Sequence, residues 1–288
     1  MYVKGLCFAT LSALCFTLMG VIVHDLKGDY NAYELTQFRA LWLIILLLPF
    51  ALREFIRSFK LDSYAVWMRA ILGGIGLILN YTSLQLLSIS TASVMIAGLT
   101  TIFVTLGERI IFGSEISQSK VIGILVVFIG LLLYYNEATF EMDRYLYLYP
   151  FFGSIFSAAA FLSLKKATTV ASTSGILFIL SLVTLLIASC FSFDLDKISS
   201  SFYSGNILVL AFLSLLTQVF LVVSYRHIQP SDATVASQTA VFWCLLIDVF
   251  WNGKEVQFVD IMATLAIFFG IYLIAKVQRF DNRICEPR

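Results

Sequence analysis

The chain has 288 residues, 60% of them hydrophobic and only 13% charged, whereas an ordinary soluble domain is nearer half apolar and about a quarter charged. That composition disfavours a water-soluble globule and suffices for about ten membrane-crossing helices of roughly 20 residues each. With 19 lysines and arginines against 18 acids the net charge is +1, so no global field exists to hold nucleic acid or an acidic partner.

In chain order, apolar runs bounded by charges or turn residues cover 5–24, 35–52, 64–87, 91–112 and 120–135, then, after a polar stretch at 136–144, 146–164, 174–193, 207–227, 233–251 and 259–276. The runs are continuous, whereas barrel strands alternate apolar and polar residues over about ten positions, so the expected class is all-α integral membrane with ten spans. The first run is too long for a signal-peptide core and has no small-residue cleavage site after it, so it is expected to stay as a span. The five cysteines, Cys7, Cys15, Cys190, Cys244 and Cys285, form no C-x-x-C pair, and four lie in apolar runs. Such cysteines behave as small buried hydrophobes, so neither a disulfide framework nor a metal site is expected. The ending Cys285-Glu286-Pro287-Arg288 lacks the aliphatic pair that prenylation requires.

An even number of spans puts both termini on one side. Only Lys27, Arg39, Arg144, Lys197 and Lys254 then belong to the opposite side, and the other 14 of the 19 basic residues share the side of the termini. By the excess of lysine and arginine on cytoplasmic loops, the termini are expected to be cytoplasmic.

Shifting the chain by 140 positions superposes Gly113-Ser114-Glu115 on Gly253-Lys254-Glu255, Gly130 on Gly270 and Glu108 on Asp248. The matches fall in the fourth and fifth spans of each half. Because five is odd, two five-span halves run in opposite senses, which makes the expected repeat inverted, an architecture of secondary transporters with the substrate site near the midplane.

These residues, with Arg39 in the second span and Gly123 in the fifth, resemble the EamA-type transporters of the drug/metabolite transporter superfamily. The resemblance implies a first EamA repeat over 1–136, a second, inverted repeat over 145–278 and a cytoplasmic tail at 279–288. It also implies a central cavity for small organic metabolites and a bacterial cytoplasmic membrane as the location. The family usually carries a proline midway along the fourth span of each half; here Leu99-Thr100-Thr101 and Thr239-Ala240-Val241 have none. The family resemblance implies export as the direction; Glu34 to Pro49 and Asp232-Ala233-Thr234 also resemble the S-adenosylmethionine uptake branch, which makes uptake or exchange of such a metabolite the alternative.

Arg39 lies about six residues, roughly 9 Å, inside Tyr33. An arginine at such depth faces protein or a water-filled cavity. It can offer its planar fork to a substrate carboxylate or phosphate, or pair structurally with Glu34. Gly73, Gly76, Asn80 and Ser83 share one face of the third span, as do Gly98, Thr101, Thr105 and Glu108 in the fourth. Gln218, Tyr225, Gln238 and Trp243 are the comparable groups of the second half. The expected cavity residues are thus Arg39, Asn80, Thr101, Gln218, Tyr225, Gln238 and Trp243, and the alternative for each amide is an interhelical hydrogen bond. Glu108 and Asp248 are candidate proton carriers or interfacial ion-pair partners, with Arg109 and Lys254 nearby.

An integral-membrane enzyme would need clustered His, Asp or Glu, whereas His24 and His227 fall on opposite faces. A scaffold subunit would be expected to carry long loops. No Gly-rich P-loop occurs, so direct use of ATP is not expected. The expected partners are a small-molecule substrate and the lipid bilayer, with no cofactor and no nucleic acid; a homodimer stays open.

Overall fold

The computed structural model describes residues 2–60, 64–113, 118–138, 144–194, 197–198, 203–250, 258–259, 261–266, 268–270 and 272–273. Among these the chain is helical, with no strand. Helices α1 (Tyr2–Asp25), α2 (Ala32–Lys60), α3 (Tyr64–Leu86), α4 (Ile89–Phe112), α5 (Gln118–Ala138), α6 (Leu148–Val170), α7 (Thr173–Phe191) and α8 (Gly205–His227) follow the first eight apolar runs. Two short helices come next, α9 (Pro230–Ser237) and α10 (Thr239–Phe250).

Seven helices, α1 to α4 and α6 to α8, are long and apolar enough to cross a bilayer. The expected ninth span is divided at Gln238, so neither α9 with 8 residues nor α10 with 12 reaches across by itself. In the expected fifth and tenth spans the described residues include the shorter apolar stretches Val121–Gly130 and Ile261–Gly270. The repeat match Gly253-Lys254-Glu255, the residues Ser114 and Glu115, the Asp248 side chain and the tail at 279–288 lie outside the described residues.

Several helix starts follow from local chemistry. Asn31 and Glu34 form a reciprocal cap on α2: Glu34 N–H donates to Asn31 Oδ1 and Asn31 N–H to Glu34 Oε2, both at 2.9 Å. Ser88 accepts from Thr91 N–H to start α4, and Ser172 from Gly175 N–H to start α7. Helix α4 stops at Gly113, whose φ of 68° is left-handed backbone that glycine adopts without strain.

The most extensive helix pairs are α3 with α6, α1 with α8 and α2 with α7; α4 packs on α6, and α9 and α10 on α1 and α4. Helices α3 and α6 approach closely because their contact faces are small. A methyl group on Gly76 would stand 2.9 Å from Ser157 Oγ, and one on Gly153 would run into Asn80 Oδ1. In lipid, where apolar burial drives nothing, such backbone approach and interhelical hydrogen bonds hold the bundle.

Candidate functional site

A cavity of about 120 Å³ lies inside the bundle, walled by α1, α3 and α4 of the first half and by α6, α8, α9 and α10 of the second, with Gln238 at the α9–α10 joint. Asn80, Gln218 and Gln238 line it, and so does Thr100, the neighbour of Thr101. Each amide also ties helices together. Asn80 Nδ2 donates to Ser157 Oγ at 3.1 Å, and Gln218 Oε1 accepts from Arg69 Nη2 at 3.0 Å. Gln238 Nε2 donates to the Ala97 carbonyl at 2.7 Å and to Thr101 Oγ1. The other ends of Asn80 and Gln238, their carbonyl oxygens, find no donor among the described residues, and neither does Thr100 Oγ1.

The charge in this wall is Arg69. It is 2% exposed, its guanidinium carbon stands 5.5 Å from the Phe161 ring centroid, and of all the lining residues it is the charged one. Its Nε has no acceptor, and no ion pair neutralises it among the described residues. Gly73 makes room for it: a methyl group there would stand 2.7 Å from Arg69 Nη1. Sequence reasoning counted Arg69 among the cytoplasmic-side charges. The signal that could have found it is spacing, because Arg69 sits four residues before Gly73 and therefore on the helical face of Gly73, Gly76, Asn80 and Ser83.

Arg39 is 1% exposed but is not in the lining; its guanidinium carbon stands 6.0 Å from the Tyr81 ring centroid. It makes no pair with Glu34, whose carboxylate holds Lys197 Nζ at 2.9 Å as well as the Asn31 amide. Tyr225 is fully buried below the cavity wall, its ring 5.7 Å from that of Phe161. Trp243 is 36% exposed and stands with Phe242 in a shallow apolar groove on the outside of the bundle. Thr101 is buried and bonded to Gln238.

Glu108 is buried near the end of α4, where its Oε2 accepts from the Ser231 amide at 3.2 Å and so meets the start of α9. Arg109, by contrast, is exposed and makes no ion pair among the described residues. Near Glu108, Lys165 Nζ donates to the Tyr225 and Ile228 carbonyls at 3.0 and 2.8 Å, satisfying two of the acceptors that α8 leaves at its C-terminus. The carboxylates of Glu108 and Asp232 both act on that ammonium. The described residues contain no group of three His, Cys, Asp or Glu side chains placed to hold a metal.

The first half of this wall has relatives. Residues 3–136 match the model of the EamA-like transporter family. This half of the chain is similar to an EamA repeat. The EamA half supplies Arg69, Asn80 and Thr100, and Gln218 and Gln238 come from the residues beyond it. The pseudopaline exporters of two strains of Pseudomonas aeruginosa are each 21% identical over 237 residues, which is 82% of this chain and 82% of theirs. A solved crystal structure, 14% identical, superposes with a TM-score of 0.69 over 99% of this chain and 100% of its own, a likeness of fold. Together with the apolar helices, the EamA match supports a membrane transporter.

Proposed function

We propose that the protein is a secondary carrier that moves a small polar organic metabolite through the central cavity by alternating access. The observation that carries this reading is the composition of the wall: polar groups from both halves converge on one enclosed space, and the bonds Arg69 to Gln218, Asn80 to Ser157 and Gln238 to Ala97 all cross from one half to the other. Rocking of the halves would break and remake those contacts, exposing the cavity to each side in turn.

The helix pairing supports two inverted five-span repeats over 1–136 and 145–278. Exchanging each helix with the one five places later turns the α1–α8 pair into α6–α3 and leaves α2–α7 as itself. It also turns α4–α6 into the packing of α9 and α10 on α1. A pattern that maps onto itself in this way is what a pseudo-two-fold axis in the membrane plane requires. On the charge asymmetry of the loops we place both termini in the cytoplasm of a bacterial cell. The exporter relatives favour export as the direction.

The test is counterflow and gradient-driven flux in proteoliposomes of the purified full chain across a metabolite panel that includes S-adenosylmethionine. Flux of at least one polar metabolite that needs no ATP and is lost when Gln238 is replaced by Leu supports the reading. Absence of flux for the whole panel, or flux unaltered in Gln238→Leu, overturns it. Uptake of S-adenosylmethionine into vesicles whose protein faces as in the cell would reverse the direction.

A further inference from the structure

We propose that Arg69 is the anion-binding residue of the cavity and that the ligand is a small carboxylate carrying N–H or O–H donors at its other end. The proposal rests on the carrier reading only in taking the ligand for cargo. Its first support is charge balance. Arg69 is buried in a membrane-spanning helix, lines the cavity, spends one hydrogen bond on the neutral Gln218 and has no carboxylate partner among the described residues. A buried charge without a counter-ion is among the most costly features a fold can hold. Arg39, also buried and outside any ion pair among the described residues, adds a second positive charge that acts on Arg69. An anion entering the cavity relieves both.

The second support is the remainder of the wall. Gln238 Oε1, Asn80 Oδ1 and Thr100 Oγ1 are buried acceptors without a donor, so the bound molecule is expected to bring donors of its own. Between the two ends, Phe16, Leu77 and Phe161 offer apolar surface. A carboxylate suits the cationic end better than a phosphate monoester, because the lining presents a single cation to match a single negative charge. The guanidinium is also a fork that fits a carboxylate through two parallel hydrogen bonds.

The experiment measures maleimide labelling of Ser237→Cys, at the cavity wall, in the purified full chain with its five native cysteines replaced. Three mixtures compete at equal concentration: the L-amino acids with their dipeptides, the methyl esters of the same compounds, and O-phosphoethanolamine with phosphocholine. The carboxylate mixture is expected to slow labelling and the esters are not; Arg69→Gln should weaken protection about tenfold or more, the loss of a charge-assisted hydrogen bond. Equal protection by esters, protection by the phosphate compounds alone, or no protection by any carboxylate overturns the assignment, as does a preference that survives Arg69→Gln. If Arg69→Gln fails to fold, Gly73→Ala takes its place, since its methyl would meet the tip of the Arg69 side chain at 2.7 Å, with the end of the Leu180 side chain at 3.1 Å. Unchanged protection in Gly73→Ala then counts against the proposal. Protection without vesicle flux would sink the carrier reading and leave this one standing.

Discussion

Arg69 and Gln218 meet across the two halves of the molecule, Nη2 to Oε1 at 3.0 Å, inside the wall of the central cavity. A neutral amide supports a cation there, and a carboxylate would neutralise it. Gln218→Glu is therefore expected to raise the melting temperature of the purified protein while abolishing flux of an anionic substrate, since the built-in carboxylate occupies the fork. Gln218→Leu should lower the melting temperature, by the loss of a bond to a charged group worth about 2 kcal/mol. Melting curves and proteoliposome flux on the same preparations check both; a Gln218→Glu protein with normal flux would contradict the argument.

Arg39 and Arg69 should separate kinetically. Arg39 packs beside Tyr81 outside the cavity lining, so Arg39→Lys is expected to lower thermal stability with little change in KM. Arg69→Lys keeps the charge but loses the fork, and should raise KM about tenfold. Concentration-dependent flux measured for the two variants decides this, and equal KM shifts would show that the two arginines act alike.

Gly153→Ala tests the close approach of α3 and α6. Alanine in a helix interior normally gains about 1 kcal/mol over glycine. Here its methyl runs into Asn80 Oδ1, and overpacking of this kind costs about 1 to 3 kcal/mol. The melting temperature should fall, whereas Gly205→Ala, with nothing within 4 Å of the added methyl, should leave it level or slightly higher.

Much of this arrangement was legible in the sequence, and the exceptions have physical causes. The small-residue face of α3 follows from helical spacing, and extending it back by four residues reaches Arg69. The residue was missed because it stands only five positions from Tyr64, close enough to the start of the span to be counted as a loop charge. Both buried arginines entered the count of basic residues by side, Arg69 among the 14 and Arg39 among the 5, so leaving them out keeps the asymmetry. Glu34 reads as a partner for Arg39 by proximity, yet the spacing Asn31-x-x-Glu34 is that of a capping box, and capping wins. Trp243 lies five residues beyond Gln238, about 140° around a helix, which turns it away from the cavity and toward the outer groove. No glycine or proline announces the break at Gln238, so the division of that span could not be read from the residue pattern.

The ion pair of Lys197 and Glu34 links the segment after α7 to the start of α2. The hydrogen bond that Lys197 Nζ donates to Glu34, followed by the charges of Glu34 and Asp194, raises the Lys197 pKa above the ordinary lysine value. A raised pKa means that the contribution is fully present at neutral pH and is lost as pH rises through the lysine range, about 10.4 and above. The difference in melting temperature between the parent and Lys197→Met should accordingly stay constant from about pH 7 to 9 and shrink toward about pH 11. A difference that changes within the neutral range would assign the dependence to another group.

Where α9 gives way to α10, the Gln238 N–H turns back to the Val235 carbonyl at 3.1 Å, and the Val241 N–H reaches the Gln238 carbonyl at 3.0 Å, three residues back rather than four. The backbone ladder is thus already interrupted at the cavity wall, and the Gln238 side chain is moored to Ala97 and Thr101 of α4. Bending at this joint sacrifices no further rung. In the inverted-repeat reading the counterpart of this span is α4, which runs unbroken from Ile89 to Phe112, so that reading makes the two halves mechanically unequal. In the carrier reading one would act as a stiff lever and the other as a jointed one, with the Gln238 amide as the latch between them.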